Sequence, residues 1–90
     1  MINFFKQEFA SLLSKNIELD FNQILELIEI PPENIPGDLA FPCFKISGIL
    51  KKTPNQVATE LVEKLDGSNQ IFSKFQALGP YLNVHFNQNI

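Results

Sequence analysis

Apolar residues recur at helical spacing from the start of the chain. Ile2, Phe5, Phe9, Leu12 and Leu13 share one side, separated by Lys6, Gln7, Ser11 and Ser14, which predicts an amphipathic helix over residues 2–15 ending near Asn16. Ile17, Leu19 and Phe21 then alternate over a span too short to decide between helix and strand. The run from Ile24 to Ile30 reads as helix through Ile24, Leu25 and Ile28, or as strand with Ile24, Glu26, Ile28 and Ile30 on one side. Its β-branched content and the Pro31-Pro32 ending favour the strand. A proline-rich loop follows over 31–37.

Pro36-Gly37 is a turn signal, and Asp38 can accept hydrogen bonds from the free N–H groups of a helix starting just after it. A second helix is thus expected from about 39 to 52, with Leu39, Cys43, Ile46 and Leu50 in one row and Ala40, Phe44 and Ser47 in the next. Pro42 falls where the first intrahelical N–H bond should form, so this helix opens with an irregular turn or begins slightly later. Lys51 and Lys52 stand at its C-terminal end, where positive charge complements the helix dipole. Thr53-Pro54-Asn55-Gln56 is the clearest local signal. Thr53 caps, Pro54 takes the first helical position, Gln56 closes a capping box, and Val57, Ala58, Leu61, Val62 and Leu65 supply the apolar stripe up to Gly67. A strand over about 72–78, the Gly79-Pro80 turn and a strand over 81–86 complete the chain. In the last strand Leu82, Val84 and Phe86 alternate with Tyr81, Asn83 and His85. The order α, β, α, α, β, β predicts an α+β two-layer domain: a small antiparallel sheet of about three or four strands, covered on one face by about three helices.

Ninety residues fit a single domain, and 44% hydrophobic residues with nine Phe suffice for a two-layer core. The single Cys43 excludes an internal disulfide and fits a reduced, cytoplasmic compartment. Met-Ile-Asn-Phe-Phe-Lys followed by Gln7 and Glu8 is no signal peptide, and no apolar run approaches the roughly 18 residues that span a bilayer. The net charge is −3 and every basic residue is Lys, which argues against a stand-alone nucleic-acid binder but not against a domain that touches RNA while tethered to a stronger one. Asn87-Gln88-Asn89-Ile90 carry no domain-closing pattern, so the natural chain is expected to continue.

No residue constellation supports bond chemistry. His85 has no Ser or Asp at informative spacing, Cys43 lies in an apolar row, Glu26 and Glu29 read as a solvated edge, and Pro36-Gly37-Asp38 lacks the spacing and the Lys of a phosphate loop. Lys45, Lys51 and Lys52 admit two readings, a solvated helix face or an edge that contacts phosphate, since positions 45 and 52 share a helix face. Tyr81 and Asn83, side by side on an end strand, can stack on and hydrogen-bond to an unpaired base.

Three segments carry a resemblance. A leading amphipathic helix precedes Gly37-Asp38-Leu39-Ala40. Leu50-Lys51-Lys52-Thr53-Pro54-Asn55-Gln56-Val57-Ala58 follows, and Gly79-Pro80-Tyr81-Leu82-Asn83-Val84-His85-Phe86-Asn87 closes the set. In this order and spacing they resemble the N-terminal additional domain of arginyl-tRNA synthetase. The resemblance implies a non-catalytic tRNA-recognition module that contacts the D-loop at the outer corner of tRNA(Arg). By motif position, Asn83, Phe86 and Gln88 would read the nucleotide. Phe86 sits awkwardly there, because alternation puts it with Leu82 and Val84, opposite Asn83. The resemblance further implies a following class I catalytic domain, which would be a partner within the same chain and would hold ATP and Mg; this segment needs no cofactor. The competing reading is a protein–protein interaction module of the same α+β class that touches no nucleic acid.

Overall fold

The computed structural model describes residues 2–67 and 70–87. Helix α1, Ile2–Ser14, buries Phe5, Phe9, Ala10 and Leu13, one face at helical spacing. Helix α2, Phe21–Leu27, replaces the strand expected from Ile24. The deciding signal is a capping box: the Asp20 carboxylate accepts from Asn22 N–H at 3.2 Å, while Gln23 Oε1 accepts from Asp20 N–H at 3.3 Å. That cap fixes the first turn, and Ile24 then packs inward in the layer α2 shares with α1. A single residue of the expected strand pairs with the sheet, Glu29 bridging Ala40 antiparallel through two hydrogen bonds of 2.8 Å.

The expected 39–52 helix is also corrected. Leu39–Pro42 forms strand β1, Cys43–Lys45 a 3-10 turn, and Ser47–Leu50 the short helix α3. Pro42 explains the break, since its ring disfavours helical geometry at Phe41 and it has no N–H to donate. All four β1 residues are buried, so the row Leu39, Cys43, Ile46 reflects depth rather than helical period. The chain leaves α3 through Lys51 in the left-handed region, at φ +56°. Helix α4, Pro54–Leu65, forms as its cap predicts, with Gln56 N–H donating to Thr53 Oγ1 at 3.2 Å.

Strands β2, Phe72–Leu78, and β3, Tyr81–Phe86, form a hairpin. Gly79, at φ +58°, occupies the first loop position, where a two-residue hairpin turn requires a positive φ. The sheet is antiparallel with order β1-β3-β2, so the last strand in sequence is central. One face carries Leu39, Phe41, Leu82, Val84 and Phe75 into the core under α1 and α4. A register shift at Ser73 adds Phe72 to that face. Phe72 joins Phe5, Phe9, Phe75 and Phe86 in an aromatic cluster that fastens α1 to the open end of the hairpin. The chain is therefore an α+β domain with a three-stranded sheet and helices on one side. No helix among the described residues is long and apolar enough to cross a membrane.

Cys43 is fully buried, and its thiol donates to the Phe41 carbonyl at 3.7 Å. Burial pushes the thiol up to about 12, against a smaller opposing effect from a backbone hydrogen bond with Leu82. The folded value lies above the unfolded one, so this group leaves stability unchanged below pH 9.0 and lowers it as pH rises toward 12. Iodoacetamide at pH 8 should therefore modify Cys43 in urea and leave the native chain unlabelled over the same interval. Equal labelling rates would contradict the burial.

Candidate functional site

The sheet face turned away from the helices is where the sequence-predicted polar residues collect. Strand pairing arranges it in rows: Pro42, Tyr81 and Leu78; Ala40, Asn83 and Gln76; and His85 with Lys74. His85 Nε2 lies 3.4 Å from Gln76 Oε1, so the histidine serves a cross-strand contact. Lys74 stands exposed beside it. The alternation of β2 against β3 could have pointed to Lys74, because it faces His85 directly across the pair.

A cleft of about 370 Å³ opens between this face and the proline-rich loop. The loop supplies Pro31, Pro32, Ile35 and Pro36, the sheet supplies Ala40, Leu78, Tyr81 and Asn83, and Glu29 stands at the edge. Sequence reasoning missed the loop as a wall, although its three prolines within six residues mark a segment stiff enough to be one. The lining is largely apolar, with Glu29 as its one charged member. Such a cleft suits a flat, weakly polar group and repels phosphate. Among the described residues there is no group of three or more His, Cys, Asp or Glu able to hold a metal.

Three hydrogen bonds hold the loop to the sheet. Asn83 Nδ2 donates to the Pro36 carbonyl at 2.7 Å, Asp38 N–H donates to the Val84 carbonyl at 2.8 Å, and Phe86 N–H donates to Asp38 Oδ2 at 2.8 Å. Asp38 is thus not a helix cap. Its carboxylate takes the amide at the end of β3 and prolongs the β1–β3 pairing beyond Leu39. Asn83 is only 1% exposed, whereas Tyr81 is half-buried and meets the exposed Phe44 edge-on at 5.6 Å between ring centroids.

The structure brings Tyr81 and Asn83 together at the cleft. Phe86 lies on the other side of the sheet, its ring stacked on Phe5 at 3.9 Å and 12°, as strict alternation requires. Gln88 lies outside the described residues. Lys45, Lys51 and Lys52 share no helix face, because the continuous helix does not exist. Lys45 closes the 3-10 turn, Lys51 ends α3, and Lys52 pairs with Glu60 of α4 at 2.6 Å.

The arginyl tRNA synthetase N terminal domain model matches residues 3–86. The chain belongs to this family. It is 46% identical over 87 residues to the arginine–tRNA ligase of Halothermothrix orenii, covering 96% of the chain and 15% of that relative. To the enzyme of Clostridium kluyveri it is 44% identical over 86 residues, with the same coverage. Among solved structures, Thermus thermophilus arginyl-tRNA synthetase superposes with a TM-score of 0.58 at 29% identity, over 66% of the chain and 10% of that enzyme. The chain thus spans about 15% of the length of the relatives it matches.

If Asp38 secures β3 rather than capping a helix, Asp38→Ala should accelerate hydrogen exchange at the Phe86 amide and cost about 1 kcal/mol in urea unfolding. A helix-capping role would instead loosen amides over 39–42 and leave Phe86 protected.

Proposed function

We propose that the chain is the tRNA-recognition part of an arginine–tRNA ligase, and that its outer sheet face receives an unpaired base from the D-loop of tRNA(Arg). Family membership supplies the class of partner. The observation that carries the site is the pairing of a half-buried Tyr81 ring with Asn83 in a cleft walled by prolines. An aromatic surface takes the face of a base, a buried amide reads its edge, and the apolar walls exclude water from both. Lys74, Lys45 and Lys51 are exposed and do not line the cleft; in this reading they would meet phosphates, while Glu29 would disfavour phosphate in the cleft itself. That separation of backbone contacts from base contacts suits nucleic-acid recognition.

Arginine activation with ATP and Mg, and transfer to the tRNA 3′ end, would fall to a class I catalytic domain elsewhere in the ligase, with these residues non-catalytic. The setting would be the cytoplasm. Contacts of this size orient rather than hold. One stacked base contributes on the order of 1–3 kcal/mol, and a net charge of −3 adds little general attraction. Tethering to the ligase body makes the same contacts intramolecular and raises their effective concentration.

A second reading, docking against protein, is favoured by the apolar corner where Phe44, 43% exposed, and Ile49, 62% exposed, project from the 3-10 turn and α3. The two readings separate by experiment. The isolated chain should bind tRNA(Arg) weakly, near 10⁻⁴ M on the order of non-specific contacts, and bind an RNA hairpin lacking the D-arm more weakly still. Tyr81→Leu, which keeps bulk and removes the ring, should erase that preference by about five- to a hundredfold, the range of one lost stack. Asn83→Ala should do the same and also free the Pro36 turn. Equal binding to both RNAs, unmoved by either substitution, would favour the protein-docking reading.

A further inference from the structure

We propose that the Pro36-Gly37 turn sets the hydrogen-bonding polarity of the cleft: it holds the Asn83 amide nitrogen and leaves the oxygen to select a base through an N–H that the base donates. The inference rests on the base-binding reading above and adds what kind of edge is read.

An asparagine amide presents a donor end and an acceptor end. The Pro36 carbonyl can only accept, so the end of Asn83 that lies 2.7 Å from it is the nitrogen. Oδ1 is the end left over. It is buried and has no hydrogen-bond partner among the described residues, in a side chain that is 1% exposed and lines the cleft. A buried acceptor without a donor is destabilising, and a ligand that brings an N–H removes that penalty. A ligand presenting only acceptors would add a repulsion.

Gly37 makes the arrangement possible. At φ +116°, its position would place a Cβ 3.1 Å from Asn83 Cβ and 3.3 Å from Nδ2. Any other residue there would strain the turn and push the amide away from Pro36, freeing Asn83 to rotate. Gly37 is therefore a positioning residue that acts through Asn83. Oδ1 is covered in the free chain, so a donor reaches it only by a local outward movement of its cover. The bonds that anchor Pro36 and Asp38 to β3 can stay intact during that movement.

Two base edges carry such a donor, an exocyclic amino group and a ring imino group. Paired nucleosides distinguish them: adenosine against purine riboside, which lacks the amino group, and uridine against N3-methyluridine, which lacks the imino proton. Amide and side-chain NMR signals of the ¹⁵N-labelled chain would be followed through each titration. At least one parent nucleoside should shift Tyr81, Ala40 and Ile35, and its donor-deleted partner should bind about tenfold more weakly. The Asn83 Nδ2 protons should keep the chemical shift of their Pro36-bonded state throughout. In Gly37→Ala, those protons should move and the ratio within the pair should fall toward one. Equal binding within both pairs by the unaltered chain would overturn the polarity assignment while leaving base binding intact. No perturbation of the cleft by any of the four would sink the base-binding reading and this inference with it.

Discussion

The outer face depends on the attachment of one turn to one strand. Pro36, Gly37 and Asp38 engage β3 at Asn83, Val84 and Phe86, through a side-chain donor, a backbone donor and a side-chain acceptor in succession. Without these bonds the nearest hydrogen-bonded tie of the proline-rich segment to the sheet, among the described residues, would be the preceding Glu29–Ala40 bridge. The cleft would then be an open sheet surface. Gly37 is the residue that lets the turn come this close, and the cost is an Asn83 oxygen buried without a partner. Unmet hydrogen-bonding capacity of that kind is often kept where a ligand completes it.

The two faces of the sheet divide the work. Beneath it, Phe5, Phe9, Phe72, Phe75 and Phe86 lock the hairpin to α1 and supply rigidity. Above it, small and polar groups leave room between sheet and loop. Because β3 is the central strand, its alternating residues serve both purposes at once: Leu82, Val84 and Phe86 hold the domain together, while Tyr81, Asn83 and His85 face outward. A site on a central strand, paired on both edges, is held more precisely than one on a loop.

Much of this was legible in the residues. The leading helix, the Thr53 capping box and the Gly79-Pro80 hairpin each have a local cause that tertiary packing has no reason to override. The alternation in β3 correctly separated Phe86 from Asn83. The central region misled for two physical reasons. Asp20 and Gln23 form a capping box with Asp in place of the usual Ser or Thr, and β-branched residues masked the helix behind it. In β1, four consecutive buried residues carry no period at all, so the helical spacing of Leu39, Cys43 and Ile46 was a coincidence of depth that Pro42 already argued against. The cleft was illegible because its walls lie far apart in sequence. The contact from Asn83 to Pro36 joins residues 47 positions apart, and no local pattern announces it.

The account is tested most directly by intermolecular NOEs between the ¹⁵N,¹³C-labelled chain and a D-arm RNA. It predicts contacts from base protons to the Tyr81 ring and the Ile35 methyls, with no contact to Phe86. Contacts confined to the Phe44–Ile49 corner or to α4, with the Tyr81 ring silent, would contradict it.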